Sequence, residues 1–290
     1  LMVAIFFMFI LLIVVVLFFK TYLVKPIISF RDSVVRMGQG DLDTPIKEKG
    51  VFEIAVLANS FNNLRVDLKN HMEGFKVETS QRQRRENELK TARQVQLSVL
   101  PKITSLFQNR GIQLYAKLLP AIDVAGDYYD FFFLSKNKMV LIIADVSGKG
   151  ISASFYMAVT KRTLRNTCIS EPDDPAKSIN LANKILCSYN INMFVTLFLV
   201  YYDMETGEME YANGGHNEAV CLKADGIVDV FGCLNNAALG CFPDLPFGKA
   251  SYKLEKGDTL YLYTDGIVEA NTGDENFYGM DRFTELLIQN

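Results

Sequence analysis

The first nineteen residues, Leu1 to Phe19, contain no polar side chain. Few structures accept such a run. In lipid every backbone amide must be satisfied internally, so a single span has to be a helix. At 1.5 Å per residue the run extends about 28 Å, close to the roughly 30 Å of a bilayer core. A signal peptide normally has a shorter apolar core and a cleavage site, and neither feature is present. Lys20, Lys25 and Arg31 follow at once, which by the positive-inside tendency puts everything after residue 20 in the cytoplasm. We expect a transmembrane helix over 1–19. The chain starts with Leu inside that span, so we expect a fragment whose extracytoplasmic part is missing.

Two amphipathic stripes come next. Ile27, Phe30, Val34 and Met37 form the first, and Ile54, Leu57, Ala58, Phe61, Leu64 and Leu68 the second. Gly38, Gly40 and Pro45 break the helix between them. Pro26, the Gly40-Asp-Leu-Asp43 connector and Glu53-Ile54 resemble a HAMP signal-relay domain, here expected over 20–70. That resemblance implies a parallel four-helix bundle made by two chains, hence a homodimer. The rival reading is a plain two-helix linker.

From residue 76 to residue 93 the chain is heavily charged, as a solvated face would be. Leu89, Ala92, Val95 and Val99 then recur at helical spacing up to Pro101. This predicts a continuous signalling helix or coiled-coil linker over 71–101, packed on the partner chain or on the domain C-terminal to it.

The formal net charge of −3 gives no argument for nucleic-acid binding. None of the five cysteines forms a Cys-x-x-Cys pair, which disfavours a zinc site and fits reduced cytosolic thiols. Beyond residue 101 we expect strands at 112–119, 129–134, 138–144, 194–202, 208–213, 218–223, 227–231 and 258–264. Helices are expected at 151–168, 175–190 and 280–289. The two do not alternate regularly, so the fold class is α+β rather than a doubly wound parallel sheet.

The chemistry is expected at strand ends. Met139 to Ala144 is an unbroken apolar run that reads as a buried strand, and Asp145 sits at its tip before the turn residues Ser147, Gly148 and Gly150. A carboxylate there suits a divalent cation, or else caps the following helix. Asp127 follows Gly126, and Asp265 ends a second strand before Gly266. If these three acids converge, they cannot all stay ionised without a cation between them. Oxygen-only ligation then favours Mg²⁺ or Mn²⁺ over zinc.

Four segments in order, Gly126-Asp-Tyr-Tyr-Asp130, Asp145-Val-Ser-Gly-Lys-Gly150, Asn213-Gly-Gly-His-Asn217 and Tyr263-Thr-Asp-Gly-Ile-Val-Glu-Ala270, resemble the motifs of SpoIIE-type (RsbU-like) phosphatases. These belong to the metal-dependent type 2C (PPM) serine/threonine phosphatase superfamily. The resemblance implies a phosphatase domain over 102–290, an α/β/β/α sandwich of two antiparallel sheets flanked by helices. It implies a catalytic and metal set of Asp127, Asp145 and Asp265, with the Val146 carbonyl, holding two Mn²⁺ or Mg²⁺ ions bridged by Asp145. Such a centre hydrolyses phosphoserine or phosphothreonine with activated water and no side-chain nucleophile. The substrate would be a phosphorylated protein, by family analogy a STAS-domain anti-sigma-factor antagonist. The location would be a bacterial inner (cell) membrane, with a single visible span.

His216 could be a general acid, but a structural histidine bonded to backbone is favoured. Asp130 could reach an ion through water, but a hydrogen bond to nearby backbone is favoured. Lys149 could touch phosphate, although Ile143 stands where a P-loop would need glycine. The family pattern closes with an Asp-Asp pair on a late strand, whereas this chain stops at Asn290, so we expect a C-terminally incomplete domain with a weakened second ion site. The rival from another class is a non-catalytic dimeric signalling module whose phosphatase-like domain binds partners.

Overall fold

The computed structural model describes residues 2–47, 50–102, 111–120, 124–234, 236–271, 273 and 276–289. It divides into two compact units, Leu1–Glu86 and Asn87–Asn290.

In the first unit, α1 (Met2–Phe19) is exposed at each of its described side chains. A π-helical turn, Lys20–Val24, joins it to α2 (Lys25–Gly38). Pro26 accounts for the turn. It has no N–H to donate, and its ring crowds the carbonyl four residues back, so the helix widens there. The connector then runs to α3, a 48-residue helix over Phe52–Val99. Asn62 of α3 grips the connector in both directions: Ile46 N–H donates to its Oδ1 at 2.8 Å, and its Nδ2 donates to Ile46 O at 2.9 Å. Phe30 meets Phe61 edge-on at 5.3 Å, and Ala58 is fully buried. The two sequence stripes therefore face each other. The charged segment after residue 70 continues α3 without a break.

The second unit contains the sheets. In chain order its elements are β1 (Tyr128–Phe133), β2 (Lys138–Val146), α4 (Ile151–Ser170), α5 (Pro175–Ser188), β3 (Val195–Asp203) and β4 (Glu208–Gly214). They continue with β5 (Ala219–Leu222), β6 (Val228–Phe231), β7 (Ala250–Lys253), β8 (Thr259–Tyr261), α6 (Asp265–Val268) and α7 (Gly279–Gln289). One antiparallel sheet has the order β1-β2-β3-β4-β7, and the other the order β6-β5-β8.

Three apolar layers make this a sandwich. Tyr156, Met157, Leu164, Ile179 and Leu186 of α4 and α5 pack on Val140, Leu197 and Leu199 of the larger sheet. Phe198, Val200, Met209 and Tyr211 fill the space between the sheets, against Phe231 and Leu260. Val220 and Tyr263 meet Phe283 of α7 outside the smaller sheet. The expected α/β/β/α arrangement is what the chain adopts.

Three local expectations need correction. Residues 112–119 form no strand: Ile112, Leu114 and Ala116 alternate inward against Phe131 and Met139, but without ladder partners. Burial alone produced that alternation. β7 was not foreseen, because its four residues form a short, half-exposed edge strand. On α3 the inward stripe is Leu89, Ala92, Gln96 and, just past the helix, Leu100, whereas Val95 and Val99 face outward. The spacing was right, but one polar residue belongs to the buried face.

Candidate metal centre

Asp145 is the penultimate residue of β2, in register with Thr196 of β3. It sits at the open end of the sheet, where its neighbours Ala144 and Val146 are buried. The turn after it depends on Gly148 and Gly150, with φ of +91° and +80°. Ser147 fixes that turn to the start of β3. Its N–H donates to Phe194 O at 2.9 Å, and Phe194 N–H donates to its Oγ at 2.9 Å.

Asp127 reaches the same end from the loop before β1. Gly126 permits the approach: a Cβ there would lie 2.5 Å from Val146 O and 3.2 Å from Asp145 Oδ1. No side chain fits in that gap. Thr264 Oγ1 donates to Asp127 Oδ2 at 2.9 Å, which ties this loop to the segment after β8. Asp265 is the next residue and opens α6.

Asp145 feels both of the other acids, far from it in sequence. Asp145 is pushed up to about 8 by burial, then by a hydrogen bond with Asp127, and then by the charges of Asp127 and Asp265. Among the described residues no three His, Cys, Asp or Glu side chains gather closely enough to hold one ion together. Asp145 instead interacts with each of the other two acids. The donor set fits a hard divalent cation: carboxylates and one backbone carbonyl in the cradle that a Cβ would fill.

Asp130 lies apart from this group. Its side chain is fully buried, and the Phe131 N–H donates to its Oδ1 at 3.0 Å, as favoured from sequence. Two cations from α4 also reach it, Lys161 Nζ at 2.8 Å and Arg165 Nη1 at 3.2 Å. Neither was foreseen. Arg165 also lies over the Phe132 ring, 4.5 Å from its centroid.

His216 is buried after β4. Gly215, at φ +71°, brings the chain within 3.1 Å of Ala238 N for an added Cβ. Asn213 then closes the loop: His216 N–H donates to its Oδ1 at 2.7 Å, and its Nδ2 donates to His216 O at 3.0 Å. The ring pairs with a side chain, Nδ1 lying 2.9 Å from Thr196 Oγ1, and Nε2 is buried with the Tyr263 backbone as its neighbouring polar group. Burial pushes the imidazole down to about 4, against weaker opposing effects of the Tyr263 backbone and Asp127. At neutral pH it carries no extra proton to give.

This has a consequence for stability. The unfolded chain protonates His216 near 6.5 and the folded chain near 4. The folded state therefore binds fewer protons in between, and stability falls as pH drops from 6.5 to 4. The loss is on the order of 3 kcal/mol. Denaturant unfolding across this range should show the slope in the wild type and a flatter one in His216→Gln. Equal slopes would assign the effect to other groups.

One residue at the site escaped the sequence reading. Gln96, 5 % exposed, donates from Nε2 to Ala125 O at 2.6 Å, and its Oε1 accepts from Ala125 N–H at 3.1 Å. The only available signal was its position in the stripe, at helical spacing between Ala92 and Leu100.

Comparison with known proteins agrees with this architecture. Residues 135–290, more than half of the chain, match the family model described as Stage II sporulation protein E (SpoIIE), and residues 18–70 match the HAMP domain. Protein IcfG of Synechocystis sp. is 29% identical over 295 residues, covering 91% of this chain and 45% of its own. Phosphoserine phosphatase RsbU of Bacillus subtilis is 29% identical over 197 residues, covering 64% of this chain and 55% of its own. The chain thus spans about half the length of these curated relatives. The SiaA-PP2C domain of Pseudomonas aeruginosa superposes with a TM-score of 0.61 at 20% identity, over 71% of this chain and 82% of that one, so the fold is shared. With its motifs in order on that fold, the chain belongs to the SpoIIE family, preceded by a HAMP domain.

Proposed function

We propose that this protein is a membrane-anchored, metal-dependent protein serine/threonine phosphatase. The reading is supported by the interaction of Asp145 with both Asp127 and Asp265, and by the hydrogen bond to Asp127 from Thr264, beside Asp265. In this reading the three acids would hold two Mn²⁺ or Mg²⁺ ions, with Asp145 as the ligand common to both and the Val146 carbonyl contributing. When bound, such a pair supplies activation of water and neutralises charge on the phosphoryl group. The chain's own residues do the positioning. Gly126 lets the backbone approach, Thr264 orients Asp127, and Ser147 holds the turn after Asp145. The substrate is phosphoserine or phosphothreonine on a partner protein, and RsbU, named a phosphoserine phosphatase, supports that class. A STAS-domain anti-sigma-factor antagonist is the partner we favour.

The domain order we propose is a span over 1–19, HAMP over 20–70, a signalling helix over 71–101 and the phosphatase over 102–290. A helix over Ala4–Gly38 is long and apolar enough to cross a membrane, which supports anchoring in a bacterial cell membrane with the catalytic domain in the cytoplasm. A homodimer through HAMP and α3 would cover the outward Val95 and Val99, which are 59% and 46% exposed.

The test is phosphate release from phosphoserine and phosphothreonine peptides. We expect release with Mn²⁺ and its loss on chelation. A protein that binds the phosphorylated partner yet releases no phosphate with any divalent ion would instead be a non-catalytic signalling module.

A further inference from the structure

We propose that Gln96 is a positioning residue that couples the end of α3 to the metal ligand Asp127. This rests on the phosphatase reading for its purpose, but not for its geometry. The Gln96 side chain treats Ala125 as a strand would, accepting from its N–H and donating to its carbonyl. Both backbone groups of Ala125 are thereby committed to one side chain of α3. The next residue, Gly126, has no room for even a methyl group against Val146 O. The one after it is Asp127, whose carboxylate is held from the other side by Thr264. Residues 125–127 are thus fixed at one end by α3, in the middle by the tip of β2, and at the far end by the β8 segment.

A buried glutamine that only filled space would be a poor choice for this helix. Its neighbours on the inward stripe, Leu89, Ala92 and Leu100, are apolar, and an unpaired amide among them would be costly. Its two hydrogen bonds are directional, so they survive only in one rotational setting of α3. A turn of one residue moves a helical side chain by about 100°, which takes the amide away from Ala125. The Ala125–Asp127 segment then loses its anchor, while the apolar stripe can slip with less penalty. The inward face therefore combines a tolerant apolar contact with one strict polar contact, and the strict one lies two residues from a metal ligand. A signal that rotates or shifts α3 would reach Asp127 through Gln96.

The experiment uses the whole chain and reads Mn²⁺ affinity by titration calorimetry, beside the melting temperature. Gln96→Met keeps side-chain length and helix preference while removing both hydrogen bonds. Leu100→Ala removes buried contact from the same helix end without touching Ala125. We expect Gln96→Met to weaken Mn²⁺ binding at least about tenfold with a small change in melting temperature. Leu100→Ala should lower the melting temperature and leave Mn²⁺ affinity within about twofold. Unchanged affinity in Gln96→Met would overturn the proposal, and so would an equal loss in Leu100→Ala, which would make Gln96 merely structural. A wild type that binds Mn²⁺ but releases no phosphate would defeat the phosphatase reading and leave the coupling standing.

Discussion

Asp145→Asn and Asp265→Asn should each lower turnover at least about a hundredfold, roughly 2.7 kcal/mol of barrier. Asp145 carries the greater burden, because it interacts with both other acids. An amide keeps its shape but cannot supply the charge that a shared divalent ion needs. Folding should survive the change. Without a cation the ionised Asp145 is opposed by burial and by two like charges, so the folded state prefers it protonated. The sign follows from linkage: a raised carboxyl costs the metal-free fold stability as pH rises from the ordinary carboxylate range toward 8. The metal-free Asp145→Asn protein should therefore melt no lower than wild type at pH 8. Activity and stability move apart, which separates loss of a ligand from loss of the fold.

Asp130→Asn should show the opposite pattern, with a large loss of stability. Asp130 is fully buried and Lys161 is 9% exposed, so neither charge has water to fall back on. Burial already pushes the Lys161 ammonium down, and Asp130 opposes that shift. Removing one member of a buried pair costs about 3–5 kcal/mol, because the other is left uncompensated. For a domain of this size that is on the order of 10 °C in melting temperature. Arg165 softens the loss little, being partly exposed and stacked over Phe132. The double variant Asp130→Asn with Lys161→Met should recover most of the loss, since it removes the stranded cation. If the single variant melts within 2–3 °C of wild type, roughly a 1 kcal/mol effect, the pair is not what joins α4 to β1.

The sequence singles out the three acids that the fold then links through Asp145. A carboxylate at an element edge needs a small-residue turn, and glycine beside Asp127 and Asp265 and the Ser147-Gly148 turn after Asp145 mark each one. The two-sheet sandwich was legible in outline from strand runs and more fully from the motif order. What did not show was long-range pairing. Lys161 and Arg165 lie on a helix that reads as ordinary, and only the fold brings them to Asp130. Gln96 was hidden for a related reason. A polar residue in a stripe looks solvated, and its partner is a backbone group of Ala125, which has no sequence signature at all. Residues 112–119 failed in reverse. Alternating burial there was real, but a strand also requires a partner along its edge, and alternation says nothing about that.

In the proposed site, three acids from distant parts of the chain form one divalent-metal centre around Asp145. Calorimetric titration of Mn²⁺ into wild type, Asp127→Asn, Asp145→Asn and Asp265→Asn tests it most directly. The wild type should bind Mn²⁺ saturably, the Asp127 and Asp265 variants more weakly, and Asp145→Asn most weakly of all. Binding to Asp145→Asn as tight as to the wild type would contradict the proposed site.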